Sequence, residues 1–166
     1  MRHERECDDT KNKKVVKKLL ADDGIVPIDN QEITEKFLEY ISDSVNKFPE
    51  LFTKPIKISE DEFATIIGYV VGYDEKGDKP TDGRCIGRFR YNQDGNILES
   101  EHVICVKENT VKRGREYCIL IFWHELTHAL IDTDSPMLFH AMLDGLLSQY
   151  EARTGEHIQN DYCDPV

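Results

Sequence analysis

The sequence has few basic residues relative to acidic ones, and its cysteines form no close pairs. Lysine and arginine number 21 against 32 aspartate and glutamate residues, which gives a formal net charge of −11. A surface of that sign repels phosphate backbones, so we expect nucleic acid not to be a partner. The five cysteines are odd in number and include no Cys-x-x-Cys pair. That pattern excludes a disulfide framework and a cysteine-ligated zinc ribbon, and it predicts reduced thiols in a cytoplasm.

Long hydrophobic runs are also missing from the sequence. The most apolar stretch, Tyr117 to Trp123, is followed by His124 and Glu125, and it is far shorter than the roughly 20 residues that cross a bilayer. The first residues, Met-Arg-His-Glu-Arg-Glu, lack the apolar core of a signal peptide. The sequence therefore predicts no membrane segment, no export signal and a cytoplasmic location.

The length and composition are those of one globular domain. Of the 166 residues, 39% are apolar and 32% are charged, which is sufficient for one hydrophobic core but not for two. We expect a single domain over 1–166 that has four parts. These are an N-terminal helical part at 1–50, a β-rich part at 55–107, two helices at 113–153 and a polar tail at 154–166.

Hydrophobic periodicity predicts two helices in the N-terminal part. A short amphipathic helix with a lysine-rich face is expected within 10–21, and a second helix begins at a cap on Asp29 or Asn30 and ends near Lys47. Pro49 is expected to stop the second helix. The apolar stripe of that helix is predicted to consist of Ile33, Phe37, Leu38, Ile41 and Val45.

The middle of the chain is typical of β-structure. A strand is predicted to end near Tyr73, and the glycine- and proline-containing segment 74–83 is expected to form an exposed loop. Residues 85–91 alternate as a strand, 92–96 have turn composition, and 97–106 return in extended form. We expect a β-hairpin there.

Two further helices are predicted after the hairpin. An apolar helix should run from about Arg113 to Ile131. Ser135 and Pro136 read as the cap and first residue of a last helix, which continues to about Arg153 and ends at Gly155.

The apolar helix contains the pattern His-Glu-x-x-His at residues 124–128. Histidines four positions apart project from one helix face, so His124 and His128 can both reach a single Zn²⁺ at about 2.0 to 2.1 Å. Glu125 lies beside them, where it can accept a proton from a water molecule on the metal. Burial of this set without partners would be costly, whereas a metal ion satisfies it.

A catalytic zinc needs a third protein ligand and an open position for water. We rank His140 first, because it lies 12 positions after His128 on the following helix and because imidazole is the common partner of two histidines. Asp144 and Glu151 remain alternatives. Asp144 would otherwise accept a hydrogen bond from a ligating imidazole.

These residues resemble the zincin metallopeptidases and are most similar to the SprT-like group. The resemblance extends over about Gly83 to Gly155, under half of the chain. It is carried by Gly83-Arg84-Cys85, the 97–106 strand, the His-Glu-x-x-His helix and Phe139-His140. It implies an α+β fold, a minimal zincin-like domain in which a small antiparallel β-sheet or hairpin packs on the motif helix and a following C-terminal helix. It also implies that a histidine of the following helix completes the metal site.

The sequence thus predicts a zinc-dependent hydrolase, a metallopeptidase that acts on protein or peptide substrates. Zn²⁺ held by His124, His128 and His140 would lower the pKa of a water towards about 7, and Glu125 would act as general base. The edge of the strand at Val103–Val106 is expected to bind an extended peptide. The alternative is a noncatalytic interaction module that zinc merely stabilises, which would have a fourth protein ligand.

The sequence leaves the second oxyanion donor unassigned and gives Trp123 a structural role. A second donor to the tetrahedral oxyanion is commonly needed, and Tyr150, Arg153 and His157 are unranked candidates for it. Trp123 adjoins His124, but a tryptophan on an apolar helix is expected to pack in the core.

Overall fold

A computed structural model describes residues 14, 16–27, 29–52, 64–72, 82–91, 93–94 and 97–161. It combines a small β-sheet with six helices in an α+β arrangement. Of the helices described, none is long and apolar enough to cross a membrane. Cys85, Cys105 and Cys118 carry free thiols.

The first helix, α1 (16–22), overlaps the predicted 10–21 segment and ends one residue beyond it; residues 10–13 and 15 are outside the described part. Its buried Leu20 packs with Ile25, Ile86 and Val103 on one face of the sheet. Gly24 has a positive φ of 70° and turns the chain after α1. The apolar stripe therefore anchors α1 while its lysines face outward.

Helix α2 (Gln31–Lys47) begins where the sequence predicts, because the Asn30 side chain accepts a hydrogen bond from the Ile33 backbone N–H at 3.3 Å. Its buried residues are Ile33, Phe37, Ile41 and Ser44. Leu38, which the predicted stripe includes, is 47% exposed, since it lies about 100° around the helix from Phe37. A short helix, α3 (Pro49–Phe52), follows directly.

The sheet has three strands, β1 (Ala64–Gly72), β2 (Gly83–Tyr91) and β3 (Ile97–Lys107), in the order β1-β3-β2. The predicted hairpin is confirmed, since β2 and β3 pair in antiparallel fashion. The predicted small antiparallel sheet is thus this hairpin, and β1 extends it by pairing with the other edge of β3 in parallel. Gly83 is the first residue of β2 and not part of a loop, and residues 74–81 lie outside the described part.

The predicted helix at about 113–131 is confirmed as α5 (Arg115–Leu130). A short helix that the sequence did not predict, α4 (Glu108–Lys112), precedes it, and Gly114, with a φ of 112°, separates the two. The last helix, α6 (Pro136–Thr154), has the predicted signals: the Ser135 side chain accepts from the Leu138 N–H, and Gly155 ends it in the left-handed region.

Helix α5 is the centre of the molecule. Its residues 118–127 are all buried, against α2 and α6 on one side and against β2 and β3 on the other. Since side chains alternate along β3, Ile104 and Val106 face α5 while Val103 and Cys105 face α1. The sheet therefore lies between α1 and the three long helices.

The segment after α6 is more than the polar tail that the sequence predicts. Ile158 is buried in the main core. Glu156 receives two hydrogen bonds from the Arg115 guanidinium, at 3.1 and 2.9 Å, and one from the Tyr150 hydroxyl at 2.9 Å. These contacts join the chain after α6 to the start of α5.

Candidate metal centre and its cleft

The two histidines of the motif lie near the C-terminal end of α5 and side by side. The centroids of the His124 and His128 rings are 5.3 Å apart, as the four-residue spacing predicts. His124 is 3% exposed and His128 is half-buried, and burial lowers the pKa of His128. A lowered pKa keeps that imidazole neutral at physiological pH, which is the form that binds metals.

The ring of Phe139, from the first turn of α6, packs on both imidazoles. Its centroid is 4.4 Å from that of His128 and 4.9 Å from that of His124. Phe139 is fully buried. It therefore fixes the orientation of the two histidines from the side of α6.

Glu125 projects from α5 towards the start of β2, where only glycine fits. A Cβ atom at Gly83 would lie 2.9 Å from the Cys105 carbonyl oxygen, 2.9 Å from Ile121 Cγ2 and 3.0 Å from Glu125 Cγ. Glu125 itself is 8% exposed. The absence of a side chain at Gly83 thus lets the strand approach the helix at the residue predicted to be the base.

An open cleft of about 430 Å³ lies between β2 and the C-terminal half of α5. Glu125 and His128 contribute to its wall, and Asp132 stands where the chain leaves α5. Its lining residues are Gly83, Arg84, Cys85, Gly87, His102, Glu125, His128 and Asp132. The cleft thus joins the motif to several polar side chains that a motif search does not single out.

His102 and Cys85 form a pair on the sheet side of this cleft. The Cys85 Sγ lies 3.6 Å from the His102 Nδ1. Burial raises the pKa of the Cys85 thiol, and the nearby charge of Glu125 raises it further. Burial also lowers the pKa of His102 to about 4, against a smaller opposing effect of Asp132. Both groups are therefore neutral at physiological pH.

Sequence reasoning missed His102, Cys85 and Asp132 as members of the cleft. A signal for His102 exists, since it shares the alternation of Ile104 and Val106 and so points to the same face as those core residues. Cys85 stands opposite Ile104 in the hairpin register. Asp132 has the same spacing from His128 as His128 has from His124, but it lies beyond the end of α5.

Of the three candidate third ligands, none lines this cleft. His140 is next to Phe139 on α6, with ring centroids 5.5 Å apart. Asp144 accepts a hydrogen bond from the Asn160 side chain at 3.0 Å, and Glu151 lies 3.2 Å from the His157 imidazole. Both carboxylates line a separate cleft beside the segment after α6. The assignment of His140 stays a prediction.

The three candidate oxyanion donors are engaged elsewhere. Tyr150 is buried against Trp123 and donates to Glu156, Arg153 donates to the Lys47 carbonyl oxygen, and His157 contacts Glu151. Trp123 is a core residue, as expected. It is fully buried, and its Nε1–H donates to the Ser44 hydroxyl at 3.0 Å.

The donor types around the motif suit a zinc ion. Two imidazoles on one helix face, with carboxylates beside them, are the nitrogen and oxygen ligands that Zn²⁺ takes in catalytic sites. In the part of the chain that the structure describes, no three His, Cys, Asp or Glu side chains already form a compact metal cluster. The pairing of His124 and His128 as metal ligands stays a prediction.

Comparisons with protein-family models, with curated proteins and with solved structures give no match to this chain.

Proposed function

We propose that this protein is a zinc-dependent metallopeptidase with a minimal zincin-like fold, similar to the SprT-like group. The observation that carries the proposal is that Glu125 lines an open cleft together with His128, whose ring centroid lies 5.3 Å from that of His124. A zinc ion bound there would supply Lewis-acid chemistry and lower the pKa of a water molecule.

In this proposal Glu125 moves the proton. Its carboxylate takes a proton from the attacking water and returns it to the leaving amine of the peptide. Gly83 supports this role, because it allows β2 to reach the Glu125 stem and so limits where the carboxylate can lie. Phe139 supports it from the other side by holding both imidazoles.

The position of the substrate is revised by the sheet order. The predicted binding edge at Val103–Val106 is wrong, because β3 is the central strand and pairs with both neighbours. The outer strand β2 lines the cleft through Gly83, Cys85 and Gly87. An extended peptide would therefore lie along β2, with its main chain parallel to the cleft.

The alternative, a noncatalytic module held together by zinc, is less well supported. A structural zinc site has four protein ligands and needs no base. Here His128 and the Glu125 carboxylate line an open cleft. The described free thiols of Cys85, Cys105 and Cys118 support the further proposal of a reducing, cytoplasmic location.

The test is metal content together with peptide hydrolysis. We expect the purified protein to bind one zinc ion, to cleave an unfolded protein substrate, and to lose and regain that activity with a chelator and added Zn²⁺. The variant His124→Ala should bind no zinc at this site. His157→Ala, an exposed histidine beside the other cleft, is the matched control. Full zinc binding by His124→Ala would overturn the proposal.

A further inference from the structure

The chain enters β2 through Asp82, which is hydrogen-bonded to three other elements. Its backbone carbonyl oxygen accepts from the Lys107 backbone N–H, at the end of β3, at 3.1 Å, and from the buried Thr110 hydroxyl of α4 at 2.7 Å. Its carboxylate accepts a further hydrogen bond, at 2.7 Å, from the Tyr117 hydroxyl of α5. Asp82 thus joins the start of β2 to β3, α4 and α5.

The α5 side of this junction is also the side that carries the proposed base. Tyr117, Ile121 and Glu125 follow one another at intervals of four residues, so their side chains project from one face of α5. A Cβ atom at Gly83 would meet Ile121 Cγ2 at 2.9 Å and Glu125 Cγ at 3.0 Å, so the backbone of β2 lies directly against this face. The face of α5 that binds Asp82 is therefore the face that presents Glu125.

The Tyr117 ring is packed where it donates this hydrogen bond. The Arg113 guanidinium lies 3.5 Å from the centroid of the ring, in a cation–π contact formed just before α5 begins. The hydroxyl thus reaches Asp82 from a ring that has a partner of its own. A bond between that hydroxyl and the Asp82 carboxylate limits how far the start of β2 can move away from α5.

The rest of β2 is held by the sheet. From Gly83 to Tyr91 its residues pair with β3 in antiparallel register, with one shift between Arg90 and Tyr91. The part of β2 that lines the cleft therefore keeps its place on the sheet with or without the Asp82 side chain. What that side chain adds is the distance between the start of β2 and α5.

We propose that Asp82 is a positioning residue for peptide hydrolysis, which acts through Gly83 on Glu125. By binding Tyr117, the Asp82 carboxylate keeps the first residues of β2 against the stem of Glu125 and so fixes where the base lies. This inference rests on the proposed function, because the group that is positioned is the base of that reaction. Asp82 itself takes no part in the chemistry.

The test compares kcat and KM for peptide hydrolysis by the full chain with zinc. We expect Asp82→Ala to lower kcat about 10-fold, because a misplacement of about 1 Å costs a reacting group up to about 100-fold. KM should stay within about twofold, since the strand along the cleft is held by β3. Asp82→Asn should restore kcat, because an amide oxygen also accepts the Tyr117 hydrogen bond. Tyr117→Phe, which keeps the ring, should reproduce the loss.

Tyr150→Phe is the matched control. It also removes one tyrosine hydroxyl that donates to a carboxylate, but this carboxylate belongs to Glu156, after α6, and not to the start of β2. Tyr117→Phe and Tyr150→Phe should each lower the melting temperature by about 2–4 °C, the shift for one lost hydrogen bond in a domain of this size. Tyr150→Phe should keep full kcat. Equal losses of kcat in the two variants would overturn the proposal, because the effect would then be one of stability.

A second measurement follows the start of β2 without zinc or substrate. Hydrogen exchange of the backbone amides around Gly83 should be several-fold faster in Asp82→Ala and Tyr117→Phe than in the unmodified protein. It should be unchanged in Asp82→Asn and Tyr150→Phe. Unchanged exchange in Asp82→Ala would overturn the proposal whatever its kcat, and so would faster exchange with full kcat.

Glu125→Gln separates the failure of this inference from the failure of the proposed function. If the unmodified protein hydrolyses peptides and Glu125→Gln does not, while Asp82→Ala keeps full kcat, the base stands and Asp82 has no positioning role. If the unmodified protein with zinc hydrolyses no peptide, the proposed function is wrong and the role of Asp82 is wrong with it.

Discussion

The two ends of α5 have different surroundings, although they belong to one buried helix. At the N-terminal end, Arg115 is held by two hydrogen bonds to Glu156, which also accepts one from Tyr150. At the C-terminal end, Glu125 and His128 face an open cleft. The polar groups at the N-terminal end are thus hydrogen-bonded to one another, whereas those at the C-terminal end line an open cleft. The comparison suggests that changes at the first end affect stability and changes at the second affect chemistry.

The largest effect on activity is expected at the C-terminal end of α5, which lines the cleft. Glu125→Gln keeps the shape of the side chain but removes the base, so peptide hydrolysis should fall about 100- to 10,000-fold. Zinc content and thermal unfolding should stay close to those of the unmodified protein. Glu116→Gln, an exposed change in the first turn of the same helix, serves as control and should retain activity. Unchanged turnover in Glu125→Gln would remove Glu125 from its proposed role.

The next largest effect is expected at Gly83, where β2 approaches the C-terminal half of α5. Gly83→Ala places a methyl group within 3.0 Å of the backbone of β3 and the side chains of α5, so it should destabilise the protein by about 1–3 kcal/mol. Activity should fall with it, because Glu125 is one of the displaced side chains. Chemical denaturation and hydrolysis assays measure the two effects.

Gly145→Ala is the control for that substitution. A Cβ atom at Gly145, on α6, meets no atom within 4 Å, so alanine should stabilise the helix by about 0.5–1 kcal/mol. A Gly83→Ala variant as stable as the unmodified protein would show that the strand does not need the close approach.

In the middle of α5 we expect a similar loss of stability but no loss of activity. Ser44→Ala removes the acceptor of the Trp123 indole N–H, and a buried donor left without an acceptor costs about 1–3 kcal/mol. Trp123 is the only tryptophan in the sequence, so its fluorescence follows unfolding directly. Ser42→Ala, which alters an exposed hydroxyl on the same helix, should change stability by less than about 0.5 kcal/mol. Zinc affinity should be the same in both variants if the stability of the core does not affect the C-terminal end of α5.

The smallest change in stability is expected at the N-terminal end of α5, where Arg115 binds Glu156, and it depends on pH. The guanidinium of Arg115 lowers the pKa of Glu156 below its ordinary value of 4.5. The ionised carboxylate therefore stabilises the fold above that ordinary value, and the contribution is lost as the pH falls through the lowered value. Because both side chains are about one-third exposed, Glu156→Gln should cost less than about 1 kcal/mol at neutral pH.

The difference in melting temperature between Glu156→Gln and the unmodified protein should shrink as the pH is lowered below 4.5. A constant difference across that range would mean that the Glu156 charge does not hold the end of the chain. Peptide hydrolysis at neutral pH should be unchanged in this variant, in contrast to Glu125→Gln.

Local signals in the sequence were enough to place most elements. Helix caps form hydrogen bonds only with residues a few positions away, so they can be read from the sequence alone. The bounds of α2 and α6 were therefore predicted from Asn30, Ser135-Pro136 and Gly155. The spacing of His124 and His128 places both rings on one face for the same reason. The β2–β3 hairpin is equally local, because its strands are joined by a short turn.

What the sequence determined by itself is thus the set of elements and the pair of histidines, because the forces involved act over one or two turns of chain. Only the tertiary structure decided that β1 pairs in parallel with β3, that Gly83 abuts Glu125, and that Phe139 packs on the imidazoles. These depend on packing between residues that lie 11 to 42 positions apart in the chain. Composition and periodicity say which face of an element is apolar, but they do not say which partner covers it.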